Sequence, residues 1–237
     1  MSDLNELLRD LVIANRILSH EGVVDAFGHI SFRHPDRSDR FFLSCSRSPE
    51  LISEDDLIEY DLDCVPVNLA ERREQYREKA IHGSIYRARS DINSVVHNHA
   101  EEVIPFSVNK NVKLKPIFLV AARIGRDVPV WDIHDRFGDT DLMVHSLEQG
   151  ADLAATLGRG SAVLMRGHGC AVAAKSIYSA VHISIYLMVN ARLQAEAMRF
   201  GGSPTFLTDG EIELMSKYEH GPKSRQWEYW AKRVASG

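Results

Sequence analysis

The sequence predicts a single three-layer α/β/α domain, in which helices cover both faces of a central, mixed β-sheet. Segments with strand and helix patterns alternate along one continuous chain of 237 residues. We find no internal repeat, no low-complexity tract and no segment with the composition of a linker. The long apolar segment that follows Ser176 requires burial around most of its circumference, as in a core helix or a subunit interface.

Composition indicates an ordinary globular protein and excludes several functional classes. With 44% hydrophobic and 26% charged residues, the chain has enough apolar surface to form a sizeable core. The formal net charge of −5 and the absence of a Lys/Arg cluster argue against a nucleic-acid partner. No apolar run approaches the roughly 18 residues that a membrane helix needs, and the acidic start lacks the features of a signal peptide. The three cysteines show no metal-type spacing. We therefore expect a cytoplasmic protein with reduced thiols and no membrane partner.

The first half of the chain combines short strands with helices. Leucines at helical spacing predict a helix from Leu4 to a C-cap at Gly22. A short helix with an acidic first turn is expected at 53–56 and a longer helix within 71–89. Alternating or apolar runs predict strands at 28–33, 41–44, 57–61, 64–67 and 93–99.

The second half continues the alternation. Helices are expected at 101–108, at 141–157, from the N-cap Ser176 to Gly201-Gly202, and in the tail around Trp227 and Trp230. Strands are expected at 128–131 and 161–165.

Two histidines at the end of a strand are the first sign of chemistry. In Val95-Val96-His97-Asn98-His99 the two imidazoles are two residues apart, so a strand directs both to one face. Paired neutral imidazoles suit a divalent metal. The alternative is two half-exposed histidines at a strand end.

Two further side chains favour the metal. Arg166-Gly167-His168-Gly169 follows a predicted strand and supplies a third imidazole, and Glu78 supplies a carboxylate before the pair. Three imidazoles and one carboxylate fill a four-coordinate site or leave a wider one open to substrate. His82 lies one helical turn after Glu78, where it either assists in moving a proton or forms a surface Glu–His pair.

In order and spacing, Glu78, the His97-x-His99 pair and His168 between two glycines resemble the metal set of the class II aldolase/adducin family. The resemblance covers about residues 5–205 and implies a class II aldolase/adducin-like domain over 1–237, with a helical tail at about 206–237. It implies a homotetramer with active sites near subunit interfaces and one divalent metal ion per subunit, whether Zn, Mn, Fe or Co. It also implies that Glu78 is an acid/base carboxylate that ligates the metal before substrate binds.

The chain departs from the sugar-phosphate aldolases of that family where they hold phosphate. His29 stands in place of an asparagine, and Tyr76-Arg77 stand before Glu78 in place of two serines. Arg47 lies in a loop where a phosphate loop carries glycine. A cradle of backbone and hydroxyl groups around phosphate is therefore not expected.

Imidazole, guanidinium and phenol groups replace that cradle, and they suit a planar aromatic acid. Arginine binds a carboxylate bidentately, and an aromatic side chain offers a flat stacking face. The alternative is that the arginines, Arg123 included, only pair with surface acids. The expected substrate-binding residues are His29, Ser46, Arg47, Tyr76 and Arg77.

The chain is similar to the aromatic-acid decarboxylases of the family, including hydroxymethylpyridine dicarboxylate and dihydroxyphthalate decarboxylases, especially at 27–31 and 165–169. The resemblance implies a metal-dependent lyase of aromatic compound catabolism. We expect non-oxidative decarboxylation of an ortho-hydroxylated aromatic or pyridine carboxylate through a metal-stabilised enolate. Glu78 and His82 are the expected proton carriers. The alternatives are an aldolase that cleaves a small hydroxy-carbonyl compound, and a non-catalytic, adducin-like structural module.

Overall fold

A seven-stranded sheet forms the centre of the molecule. The structure is a computed structural model that describes residues 3–218 and 221–235. The spatial order is β3-β2-β1-β4-β7-β6-β5, and all neighbours are antiparallel except the parallel pair β5–β6. The predicted mixed α/β sheet is thus confirmed. The strands are β1 (His29–Arg33), β2 (Arg40–Ser44), β3 (Leu57–Asp61), β4 (Ser94–Asn98), β5 (Val130–Trp131), β6 (Ala162–Met165) and β7 (Gly169–Ala174).

Helices cover both faces of the sheet and bury two apolar layers. On one face α2 and α5 pack against each other and against the strands; on the other face lie α1, α6 and the tryptophans of α8. No helix in the described part of the chain is long and apolar enough to span a membrane. The helices are α1 (Leu4–His20), α2 (Lys79–Ala88), α3 (Ile104–Val108), α4 (His134–Phe137), α5 (Leu147–Leu157), α6 (Ile177–Arg199), α7 (Asp209–Ser216) and α8 (Arg225–Val234).

Burial within one subunit accounts for the apolar character of α6. Ser176 caps this helix through the N–H of Ser179, as expected from the sequence. Its apolar side chains pack on α1, β4 and β7, and residues such as Val181, Ile185 and Leu187 are buried in the subunit. The apolar periodicity of α6 is therefore explained by the core and gives no separate indication of an interface.

Three expected elements differ in the structure. The strand at 64–67 is wrong: this segment is a turn with one isolated bridge, between Tyr60 and Pro66, and proline has no N–H to continue a ladder. The helix expected at 141–157 begins only at Leu147, because Ser146 and Gln149 form a capping box. The tail contains α7 in addition to the expected helix α8.

Candidate metal centre and adjoining cavity

The candidate metal centre starts at the end of β4, in the middle of the sheet. His97 lies opposite His29 of β1 and Ala171 of β7, so it is surrounded by strands and completely buried. His99 follows the last residue of the strand. The two Nε2 atoms, of His97 and His99, are 3.1 Å apart.

A tight hairpin between β6 and β7 brings His168 to the same point. Gly167 has a φ of +64°, a conformation that costs a residue with a side chain more than it costs glycine. A Cβ at Gly169 would lie 2.1 Å from the carbonyl oxygen of Asn98, so only glycine allows β7 to approach β4 there. The Nε2 atom of His168 lies 3.1 Å from that of His99.

Glu78 completes the cluster from the N-cap position of α2. Its Oε2 atom lies 3.3 Å from Nε2 of His97 and 3.5 Å from Nε2 of His168. Its Oε1 atom accepts the backbone N–H of Val144 at 2.9 Å. One ligand atom from each of Glu78, His97, His99 and His168 lies within 4.8 Å of the other three.

The hydrogen bonds at the outer ring nitrogens show that this cluster fits a metal. Nδ1 of His97 lies 3.1 Å from the carbonyl oxygen of Cys170, and Nδ1 of His168 lies 2.9 Å from that of Leu142. A carbonyl only accepts, so each Nδ1 carries a proton, and in the neutral ring Nε2 keeps its lone pair. Lone pairs converging with a carboxylate are the arrangement that a divalent cation satisfies. Glu78, His97, His99 and His168 would hold the ion.

Electrostatics keep Glu78 ionised. Burial alone would raise the pKa of its carboxyl, but the neighbouring imidazoles of His97 and His168 outweigh burial and hold the pKa far below its usual range. Burial, with repulsion from His97 and His168, lowers the pKa of His99 to about 4. Glu78 is therefore a carboxylate, and His99 a neutral imidazole, at neutral pH.

A cavity of about 420 Å³ opens directly beside the cluster. It combines Glu78, His97 and His99 of the cluster with aromatic rings and two guanidinium groups. Its lining is Ala26, Phe27, Gly28, His29, Ser46, Arg47, Ser48, Glu74, Tyr76, Arg77, Glu78, His97, His99 and Met143.

Two loops that carry expected substrate residues hold each other at the rim of this cavity. The backbone N–H of Ser46 donates to the carbonyl of Glu74 at 2.7 Å, and the Tyr76 hydroxyl donates to the carbonyl of Arg47 at 2.5 Å. Arg47 Nη1 also binds both carboxylate oxygens of Asp56, at 3.1 and 2.9 Å. Arg77 is exposed at the rim and forms no ion pair within the described ranges 3–218 and 221–235.

The two remaining histidines that were expected at the site, His29 and His82, lie one behind the other. His29 lines the cavity, with its ring centroid 4.4 Å from that of Tyr76 and 5.2 Å from that of His97. His82 is completely buried behind His29, and their Nε2 and Nδ1 atoms are 2.6 Å apart. His82 thus contacts His29, whereas Glu78 contacts the cluster. Arg123 lies away from the cavity and lines a different one beside α7 and α8.

Sequence reasoning missed the groups that orient the ligands. The loop before α5 supplies the Leu142 carbonyl for His168 and the Val144 N–H for Glu78, and Leu142 has a φ of +68°. These are backbone atoms, which no side-chain pattern reveals. The capping box of Ser146 and Gln149 was the one available sign that this segment is a loop.

The family model of the "Class II Aldolase and Adducin N-terminal domain" matches residues 9–195. The chain belongs to this family. It therefore shares with class II aldolases a fold whose members commonly use a bound metal, and the Glu/His cluster is where such an ion fits.

Two relatives of this class II aldolase family member are named as decarboxylases. "Decarboxylase tropJ" of Talaromyces stipitatus is 33% identical over 97% of this chain and 94% of its own length. The "3,4-dihydroxyphthalate decarboxylase" of Arthrobacter keyseri is 28% identical over 85% of this chain and 83% of its own. These relatives support a lyase.

Solved structures of class II aldolases share the fold. An "aldolase II superfamily protein from Pseudomonas syringae" matches with a TM-score of 0.79 and 24% identity, covering 98% of this chain and 93% of that one. An "L-fuculose 1-phosphate aldolase" matches with a TM-score of 0.74 and 21% identity, covering 92% and 97%. At these identities the likeness concerns the fold.

Proposed function

We propose that the protein is a metal-dependent carboxy-lyase that removes CO2 from an ortho-hydroxylated aromatic or pyridine carboxylate without oxidation. The observation that carries this proposal is the lining of the cavity beside the Glu/His cluster. Rings of Phe27, His29 and Tyr76 and the guanidinium groups of Arg47 and Arg77 meet there. Flat rings stack on an aromatic substrate, and guanidinium binds its carboxylate. The names of the two decarboxylase relatives support the same reading.

The cluster would hold an electrophilic metal ion, and the residues that line the cavity would contact the substrate. A divalent ion held by Glu78, His97, His99 and His168 would act as a Lewis acid that stabilises negative charge on a substrate oxygen. Arg77 has no ion pair among the described residues, so its charge is available to a second substrate carboxylate. Arg47 is already oriented by Asp56, which reduces the side-chain entropy lost when it binds an anion.

Glu78 is suited to move the proton because it begins as a carboxylate. It takes the proton of the phenolic hydroxyl and returns it to the ring carbon that bears the carboxylate group. The bond between that carbon and the carboxylate then breaks, CO2 leaves, and the electron pair restores the aromatic ring as a phenolate. The phenolate takes one proton from solvent, so one proton is consumed for each CO2 released. The Val144 N–H keeps Glu78 oriented during the transfer.

A substrate panel tests this proposal. Protein loaded separately with Zn, Mn, Fe or Co is incubated with 3,4-dihydroxyphthalate, 2-hydroxybenzoate and 3-hydroxypyridine-2-carboxylate, and CO2 and ring absorbance are followed. The matched control is 4-hydroxybenzoate, which has the same groups but no ortho hydroxyl. We expect CO2 only from ortho-hydroxylated acids. Equal release from the para isomer would contradict the role of the ortho oxygen.

The same assay separates the alternatives. Inert acids, together with aldehyde release from a small hydroxy-carbonyl compound, would identify an aldolase. A purified protein without stoichiometric metal and without either activity would indicate a structural module.

A further inference from the structure

A chain of four buried polar side chains leads from the cavity into the core beneath α2. Nδ1 of His29 lies 2.6 Å from Nε2 of His82, and Nδ1 of His82 lies 2.6 Å from Oγ of Ser31. Ser31 Oγ lies 2.7 Å from the hydroxyl of Tyr86. The two residues of β1 lie two positions apart on one face, and the two residues of α2 lie one turn apart on the face that packs there.

The far end of this chain determines the direction of its hydrogen bonds. In the described part of the protein, Ser31 Oγ is the oxygen that the Tyr86 hydroxyl reaches with a hydrogen bond. Tyr86 is almost completely buried, so a hydroxyl proton without an acceptor would be costly. Tyr86 therefore donates to Ser31. Ser31 in turn has one proton, which it donates to Nδ1 of His82.

The direction then passes through both imidazoles to the cavity. With Nδ1 accepting, neutral His82 carries its proton on Nε2 and donates it to Nδ1 of His29. His29 consequently carries its proton on Nε2, the nitrogen that makes no hydrogen bond to the described residues. A proton on Nδ1 of His29 would reverse every bond in the chain and leave the Tyr86 hydroxyl without an acceptor. Burial supports the neutral form of His82 by lowering its pKa to about 3.

We propose that His82, Ser31 and Tyr86 are positioning residues that fix His29 as the Nε2–H tautomer, so that it presents a neutral hydrogen-bond donor to a carboxylate oxygen of the substrate. This inference rests on the proposed function for the identity of the acceptor, whereas the tautomer is a property of the protein itself. A carboxylate only accepts hydrogen bonds, so the opposite tautomer would place a lone pair against it. His82 thus acts through His29, whose Nδ1 it contacts.

Neutron diffraction of perdeuterated, metal-loaded crystals tests the tautomer without any substrate. We expect deuterium on Nε2 of His29 and Nε2 of His82, and none on either Nδ1. Deuterium on Nδ1 of His29, alone or together with Nε2, would overturn the inference. This result is independent of the reaction, so it stands or falls separately from the decarboxylase proposal.

Two serine variants test the link to binding. Ser31→Ala removes the donor to His82, and its matched control Ser94→Ala removes a buried hydroxyl on the neighbouring strand that donates only to the Ser31 carbonyl. With 2-hydroxybenzoate as the probe, calorimetry should show roughly 5-fold weaker binding for Ser31→Ala and no change for Ser94→Ala. Ser31→Thr, which keeps the hydroxyl, should restore binding.

The controls also keep the test decisive when a variant folds poorly. Ser31→Cys keeps the volume with a much weaker donor and should weaken binding in the same direction. Equal effects of Ser31→Ala and Ser94→Ala on the dissociation constant would overturn the positioning role, because they would then report only a general loss of packing. Phenol, which keeps the ring and the hydroxyl but has no carboxylate oxygen to accept the bond, should be insensitive to all of these variants.

Discussion

At the scale of single residues, the close spacing of the ring nitrogens in the Glu/His cluster favours a bound cation. The Nε2 atom of His99 lies 3.1 Å from that of His97 and 3.1 Å from that of His168. The Nδ1 atoms of His97 and His168 donate to backbone carbonyls. The Nε2 lone pairs of His97 and His168 face the Glu78 carboxylate at 3.3 and 3.5 Å, and they repel it unless a positive charge lies between them. The metal is therefore expected to stabilise the fold locally as well as to serve the reaction.

The first prediction concerns metal content. His97→Ala and His168→Ala each remove one ligand and should lower bound metal from about one ion per subunit to a small fraction, with loss of activity. His34→Ala, on the distant hairpin between β1 and β2, is the matched control and should keep its metal. Elemental analysis after dialysis measures the result. Full occupancy in the His97→Ala/His99→Ala double variant would refute the assignment.

The second prediction separates binding from proton transfer at Glu78. Glu78→Gln keeps an oxygen that can accept the Val144 N–H and nearly the same volume, but an amide does not relay a proton. We expect the metal to be retained and kcat to fall by at least about 100-fold, which is the usual contribution of a general acid–base. Metal analysis and steady-state kinetics on one preparation measure both. Unchanged kcat would assign the proton transfer to another group.

The third prediction is a pH dependence at the Arg47 loop. Burial alone would raise the pKa of Asp56, but hydrogen bonds from Ser53 and the charge of Arg47 outweigh burial and hold the pKa below its usual range. A depressed folded-state pKa stabilises the fold above the unfolded pKa, and this stabilisation is lost as the pH falls through the folded value. Urea denaturation should therefore show a smaller loss of stability between pH 5 and 3, about the unfolded pKa of Asp, for Asp56→Asn than for the wild type. Parallel pH curves would contradict this.

At the scale of elements, the periodicity of side chains predicted most helices and strands, whereas features that depend on backbone contacts were not predicted. Alternation and helical spacing located α1, β1, β2, β3, β4 and α6 close to their observed bounds. The segment 141–146 has apolar residues at compatible positions, so the spacing extended α5 too far; the observed loop is held by His168 and Glu78, which are distant in sequence. Strand β7 is rich in alanine and glycine, which are weak strand signals, and it was not predicted.

The fourth prediction concerns the contact of α5 with α2, the helix that begins after Glu78. A Cβ at Gly150 would lie 2.4 Å from Oγ of Ser84 and 2.6 Å from the carbonyl oxygen of Ala80. Gly150→Ala should therefore force the helices apart and destabilise the protein by roughly 1–3 kcal/mol. Gly210→Ala in α7 is the matched control, since its Cβ would have no neighbour closer than 4.0 Å; helix propensity should make it neutral or stabilising by at most about 1 kcal/mol. Chemical denaturation compares the two, and equal effects would refute the close-contact argument.

At the scale of the whole molecule, the fold explains why the four ligands converge although 90 residues separate the first from the last. The antiparallel neighbours β1, β4 and β7 place His29, His97 and the His168 hairpin at one edge, and α2 brings Glu78 there by packing across the same face. The set of four candidate ligands could be predicted from the sequence because the family resemblance supplied their order. The buried hydrogen-bonded chain from His29 to Tyr86 could not be predicted, because Ser31 and Tyr86 meet His82 only when α2 packs on β1.

The last prediction is the assembly. The family resemblance implies a homotetramer, and the apolar stripe of α6 no longer supports it, because that stripe is buried in the subunit. Large apolar side chains nevertheless remain on the surface: Phe200 is 85% exposed and Leu69 is 79% exposed, and Phe27 at the mouth of the cavity is 65% exposed. Single exposed apolar side chains are common on protein surfaces and do not by themselves mark an interface, so the expected tetramer rests on the family resemblance, and these side chains are available to a neighbouring subunit.

We therefore expect light scattering at micromolar concentration to give about four times the 26.7 kDa of one chain. If subunit contacts complete the mouth of the cavity around Phe27, dilution below the dissociation constant should lower specific activity in parallel with the scattering mass, because the substrate contacts would be lost with the neighbour. Phe27→Ser should then weaken both assembly and substrate binding, whereas Leu214→Ser, on the exposed side of α7, is the control for a simple loss of surface apolarity. A monomer that is fully active at micromolar concentration would refute the tetramer and would show that one chain forms the whole cavity.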